Sequence, residues 1–84
     1  MNKLLKEKDY FKSSDLTLIT ALCCDGYQVE AIDRSDPSRV VFSVRRNEFL
    51  DEVLQLYFSH QLKVDPLEFA AVQKELKTRI YHSD

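Results

Sequence analysis

The stretch Tyr27-Gln28-Val29-Glu30-Ala31-Ile32-Asp33-Arg34-Ser35-Asp36-Pro37-Ser38-Arg39-Val40-Val41-Phe42-Ser43-Val44-Arg45 decides the fold class. Its two arms alternate apolar and polar residues, the two-residue period of a strand with one buried face. Tyr27, Val29 and Ala31 share a face of the first arm, and Val40, Phe42 and Val44 form the core face of the second. Between the arms, Asp33 to Ser38 is a run of short polar side chains around Pro37. Such side chains compete with ladder hydrogen bonds, and proline cannot donate one. The segment therefore reads as an antiparallel β-hairpin with a loop of about five or six residues. A lone hairpin is marginal in water. No other segment reads as a strand, so helices must cover one face, or a second molecule must extend the sheet.

The flanking sequence supplies the helices. Upstream, Ser13-Ser14-Asp15 offers N-cap oxygens to a helix reading Leu16-Thr17-Leu18-Ile19-Thr20-Ala21-Leu22-Cys23-Cys24. That helix is apolar nearly all round and is expected to be central. Asp25-Gly26, with the only glycine of the chain, fits a left-handed C-cap. Tyr10-Phe11 stands just ahead of the helix and reads as an anchor for the chain. Downstream, Asn47 is placed to cap a second helix carrying two apolar stripes, Phe49, Val53, Leu56 and Leu50, Leu54, Tyr57. It ends around Ser59-His60-Gln61. Asp65-Pro66-Leu67-Glu68 is the clearest local signal: an N-cap, proline at the first helical position and glutamate at the capping-box position. Val64 and Phe69 form the accompanying hydrophobic staple. Phe69, Val72, Leu76 and Ile80 continue as a core stripe, with Gln73, Lys74, Lys77 and Thr78 toward water. The expected architecture is α+β in the order α-β-β-α-α: a helix, an antiparallel β-hairpin and two C-terminal helices.

Length and composition agree. The chain has 84 residues, enough for a single small domain over 1–84, with residues 1–9 expected as a flexible arm. A domain this size buries only roughly 60–65% of its unfolded surface, so its core is thin and a deep pocket is not expected. Apolar residues at 44% and charged residues at 31% are ordinary for a globular protein. No run approaches the ~18 apolar residues of a membrane span, and the start lacks the apolar stretch of a secretory signal. A soluble, cytoplasmic protein without membrane attachment is the expectation. The two cysteines, Cys23 and Cys24, are adjacent and lie inside a helical pattern. Reduced thiols, at least one packed as a small hydrophobe, are expected rather than a disulfide. They also lack the second ligand pair of a zinc site.

Motifs that carry chemistry are scarce. Gly26 stands alone, whereas phosphate loops use several glycines to bring backbone N–H groups close. His60 and His82 are separated by a whole helix. Ser13 and Ser14 have no neighbouring histidine to activate them, and capping accounts for them. Asp33 and Asp36 lack the ligand count of a calcium loop. No catalytic, cofactor-binding or metal-ligating residue is assigned, and the expectation is a non-enzyme without cofactor.

Binding surfaces remain. The hairpin carries Arg34, Arg39, Ser43, Arg45 and Arg46 on or beside its outward face. A basic strand followed by two helices resembles ribbon-helix-helix DNA-binding proteins, which pair two such strands in a dimer. Here the ribbon would already have a partner in its own chain, and Glu48, Asp51 and Glu52 set negative charge beside it. The net charge of −2 also counts against a dedicated nucleic-acid binder. Basic residues of the last helix (Lys74, Lys77, Arg79, His82, with Tyr81 among them) are explained by the helix dipole. The second helix carries Phe49, Tyr57 and Phe58 on a face wider than a thin hairpin can cover, which marks an apolar partner patch.

Three segments together carry a resemblance: Tyr10-Phe11-Lys12-Ser13-Ser14-Asp15-Leu16, Arg39-Val40-Val41-Phe42-Ser43-Val44, and Val64-Asp65-Pro66-Leu67-Glu68-Phe69 leading to Leu76-Lys77-Thr78-Arg79-Ile80-Tyr81. From about residue 10 to 81, the set resembles a family of small bacterial and phage-borne proteins known as a domain of unknown function. Cys23-Cys24 stands where small apolar residues would be expected, and the second helix ends without glycine. The shared motifs specify fold, not activity. The resemblance implies an accessory protein that binds a host or replication protein, or its nucleic acid. The leading expectation is a protein-binding or adaptor module. The alternative is a nucleic-acid-binding accessory protein using the basic hairpin. Homodimerisation through a hairpin edge or the second helix is compatible with either.

Overall fold

A computed structural model describes residues 9–82. In chain order the elements are β1 (Tyr10–Ser13), α1 (Leu16–Cys24), β2 (Val29–Asp33), β3 (Val41–Arg45), α2 (Leu50–Phe58) and α3 (Pro66–His82). The class is α+β as expected, with three helices and an antiparallel sheet. The sheet, however, has three strands in the order β1-β3-β2. Tyr10 and Phe11 do more than anchor a helix start. They open β1, which sets Tyr10 opposite Arg45, Phe11 opposite Val44, Lys12 opposite Ser43 and Ser13 opposite Phe42. The expected arm over 1–9 lies outside the described residues except for Asp9, whose carbonyl accepts the Arg46 N–H at 2.9 Å.

β3 is thus the central strand, and its alternation orders the core. Phe42 and Val44 are 1% and 0% exposed and meet Leu18, Ile19 and Leu22 of α1, Leu50 and Val53 of α2 and Leu76 of α3. Val40 packs against the same cluster. The β2 pairing corrects the expected face of Tyr27, Val29 and Ala31. Val29 lies opposite Val44, but Ala31 lies opposite Ser43 and Ile32 opposite Phe42, with a bulge between Val29 and Ala31. One inserted residue reverses the alternation. Val29 and Ile32 therefore face the core, and Ala31 lies with Ser43 on the outer face.

α1 is central, as its composition requires. Leu18, Ile19, Thr20, Ala21 and Leu22 are all buried, and the helix packs chiefly against α3. The buried Thr20 hydroxyl donates to the Leu16 carbonyl at 2.7 Å, which satisfies a group that would otherwise be costly to desolvate. Asp15 is the N-cap chosen from the three candidates: its Oδ1 accepts the Leu18 N–H, while Ser13 Oγ accepts the Asp15 N–H. Asp65 caps α3 through Oδ2 and the Glu68 N–H at 2.8 Å. Asn47 acts slightly ahead of its expected place. Its Oδ1 accepts the Phe49 N–H at 3.0 Å and the Tyr27 hydroxyl at 2.6 Å, in the turn that precedes α2.

α1 and α2 end in the same way. After α1, the Tyr27 N–H reaches the Leu22 carbonyl and the Gly26 N–H the Cys23 carbonyl, with Gly26 at φ +105°. After α2, the Gln61 N–H reaches the Leu56 carbonyl and the His60 N–H the Tyr57 carbonyl, with His60 at φ +66°. Both are Schellman closures, which satisfy carbonyls left over at a helix end. In the second, a histidine holds a left-handed conformation that favours glycine.

The loop from 34 to 40 is built from two successive Asp-x-Ser turns. Asp33 Oδ1 accepts the Ser35 N–H and hydroxyl at 2.9 and 2.7 Å, and Asp36 Oδ1 accepts the Ser38 N–H and hydroxyl at 3.0 and 2.7 Å. These hydrogen bonds, first the Ser35 N–H for Asp33 and first the Ser38 hydroxyl for Asp36, hold both carboxyls below the usual carboxylate range.

Two outcomes follow. His60→Gly relieves the strained exit of α2 and raises unfolding free energy by about 0.5–1 kcal/mol in urea titrations; an unchanged or lower midpoint contradicts the assignment of strain. Because Asp33 and Asp36 have depressed folded pKa values, their contribution is complete above the unfolded carboxylate pKa of about 3.9 and disappears as pH falls through the folded values. The Asp33→Asn, Asp36→Asn double variant, which keeps an acceptor oxygen but not the charge, should therefore show a shallower fall in Tm between pH 6 and 3 than the parent chain.

Candidate binding surfaces

Of the hairpin arginines, Arg45 and Arg46 border one hollow with Glu30 and Asn47, while Arg34 and Arg39 reach other segments. Arg34, half-buried, donates from Nη2 to the Arg79 carbonyl at 2.8 Å. That carbonyl belongs to the last turn of α3, where helix carbonyls lack partners within the helix and the dipole favours a cation. Arg39 donates from Nε to Ser14 Oγ at 3.0 Å, beyond the end of β1. Arg45 pairs with Glu30 at 3.1 Å, and the Tyr10 hydroxyl reaches the same carboxylate oxygen at 3.5 Å. Arg46 pairs with Asp51 at 2.6 Å, in the first turn of α2. Ser43 is buried in the middle of the sheet. Only Ser43 and Arg45 of the five share the outer face of β3. That face holds a shallow hollow of about 290 Å³ lined by Tyr10, Lys12, Glu30, Ala31 and Ser43, with charges of both signs.

The apolar residues of α2 also divide. Phe49 and Phe58 are 56% and 64% exposed, but they bracket opposite ends of the helix, roughly 13 Å apart along its axis. The inward stripe is Leu50 and Val53 with half-buried Leu54 and Tyr57, which leaves Phe49 and Leu56 outward. Tyr57 and Phe58 stay together, with ring centroids 5.1 Å apart in an edge-to-face arrangement. They wall a cleft of about 340 Å³, completed by Ala21 of α1, His60, Leu62 and Val64 of the α2–α3 connection, and Phe69 of α3. Burial pushes the Tyr57 hydroxyl pKa up, and the negative charge of Asp15 adds to the shift, so Tyr57 is a neutral donor near pH 7.

Five of these cleft residues (Ala21, His60, Leu62, Val64 and Phe69) are not among the candidates read from sequence. Two signals in the sequence point to three of them. Val64 and Phe69 are the staple pair of the sequence, and they line the cleft together. The glycine-free exit of α2 forces His60 into its left-handed turn. Phe69, expected in the core stripe, borders the cleft instead of the central cluster.

Burial disfavours the thiolate form of both cysteines. Cys23 and Cys24 are free and half-buried. Burial raises both thiol pKa values, helped by Cys24 at Cys23 and by Glu68 and Asp65 at Cys24. Cys23 borders a second cleft of about 340 Å³ between α1, β2 and α3, with Val29, Val72, Glu75 and Arg79. On α3, Lys74, Lys77 and Tyr81 are exposed and Arg79 is half-buried; His82 closes the helix, its side chain outside the described residues. Among the described residues, no group of three or more His, Cys, Asp or Glu side chains is placed to hold a metal ion. No described helix is long and apolar enough to cross a membrane.

Comparison with curated proteins and with solved structures finds no match. Against family models, residues 8–82 match from the residue before the β1 approach to the end of α3, and the chain belongs to the family described as Domain of unknown function (DUF5659).

Proposed function

We propose that the chain is a small non-enzymatic protein-binding module that docks its partner at the junction of α2 and α3. The observation that carries this reading is the cleft walled by Tyr57 and Phe58, left open beside the buried core. Burying a phenylalanine side chain is worth about 1.5–3 kcal/mol. A thin domain that leaves most of Phe58 in water, next to Tyr57, Leu62, Val64 and Phe69, forgoes stabilisation that a partner can supply. Exposed aromatic anchors in a concave apolar setting are the usual centre of a protein interface.

Chemistry gives the enzyme reading no comparable support. Hydrogen-bonded hydroxyls of Ser13, Thr20, Ser35 and Ser38 serve turns or helix backbone, and both thiols are favoured in their protonated form. The nucleic-acid alternative needs a converging basic surface, whereas Arg34, Arg39, Arg45 and Arg46 are spread among four separate partners.

A photo-crosslinking amino acid at position 58 should give discrete protein adducts in extract from the source cells. Excess unlabelled chain should suppress them, and Phe58→Asp chain should not. The same group at Lys77 is the control. Identical adducts at both positions, or none that compete at position 58, overturn the proposal.

A further inference from the structure

The charge around the cleft narrows the partner. Asp65 caps α3 and Glu68 lies in its first turn, both between the lining residues Val64 and Phe69 in sequence. Both are near enough to Cys24, one turn along α1 from Ala21, to influence its thiol. Asp15, the cap of α1, is near enough to the lining residue Tyr57 for its charge to act on the hydroxyl. Lys63, between the lining residues Leu62 and Val64, is the opposing charge. Asp15 and Asp65 cap helices, and each helix start offsets about half a charge. The rim is left about one charge negative. Inside it, the edge-to-face pair of Tyr57 and Phe58 offers aromatic surface on which a cation gains further attraction.

Resting on the protein-binding reading above, we propose that the cleft takes a short amphipathic segment of a partner protein, with apolar anchors flanked by lysine or arginine. The apolar anchor fills the floor formed by Leu62, Val64 and Phe69, and the flanking cations meet Asp15, Asp65 and Glu68. About 340 Å³ holds one or two aliphatic side chains, the size of an i, i+4 pair on a helix. The same rim disfavours nucleic acid and anionic membranes, since both present negative charge.

Two synthetic helical peptides of equal apolar content, one Leu/Lys and one Leu/Glu, titrated into the full chain by NMR, test the proposal. The Leu/Lys peptide should shift the resonances of Phe58, Val64 and Phe69 and weaken with added salt. The Leu/Glu peptide should bind much less. Asp65→Asn with Glu68→Gln keeps a capping oxygen and should lower Leu/Lys affinity about fivefold; circular dichroism and the urea midpoint confirm that the variant folds. Equal binding of both peptides at the cleft, or no loss in the double variant, overturns the charge assignment while leaving protein docking intact. Failure of the position-58 crosslinks removes the docking reading itself. Shifts of the cleft resonances that grow with chain concentration alone assign the cleft to a second copy and overturn the proposal. Cleft shifts caused by Leu4→Asp with Leu5→Asp, without peptide, assign it to the chain's own Lys3-Leu4-Leu5-Lys6 segment and do the same.

Discussion

Phe42 and Val44 lie on one face of a strand that is paired along both sides, and this double pairing constrains the rest of the molecule. A strand has a period of two, so a slip of one residue would turn both side chains out of the core. β1 and β2 must each meet β3 in the register that keeps them inward, and all three helices contribute to the cluster around them. β2 meets the requirement only by inserting Glu30 as a bulge. Without it, Val29 and Ile32, three residues apart, could not both face the core. The bulge also leaves Glu30 on the outer side, where it pairs with Arg45.

Much of this was legible in the sequence where a local signal and the tertiary environment agree. Asp65-Pro66 with Glu68 marks a helix start by hydrogen-bonding chemistry that needs no distant contact, and α3 begins there. The all-round apolarity of residues 16–24 correctly makes α1 central, and Asp25-Gly26 ends it. β1 was not legible because Tyr10–Ser13 is too short to show a period, and its partner lies some thirty residues away in sequence. The bulge was hidden for a related reason. Tyr27, Val29 and Ala31 alternate cleanly along the chain, and only the register with β3 shows which of them faces inward.

The candidate site was half legible. Tyr57 and Phe58 were identified from apolar excess on α2, and they do line the cleft. Phe49 reads as part of the same helix face, but the length of the helix separates it from them. The arginines looked like one surface because they are close in sequence. Their partners, a helix carbonyl for Arg34, a hydroxyl for Arg39 and carboxylates for Arg45 and Arg46, come from distant or turned-away segments that no strand pattern reveals.

The amide oxygen of Asn47 accepts both the Tyr27 hydroxyl and the Phe49 N–H. The residue that completes the exit of α1 is therefore joined, through one atom, to the turn that starts α2. The other end of α2 leaves through His60 in a conformation that its side chain disfavours. α2 is thus tied at its start to the exit of α1, and its other end, which carries Tyr57 and Phe58, leaves through a disfavoured turn. The placing of the cleft wall therefore depends on the conformation of one residue, His60, while the start of the helix is set by Asn47.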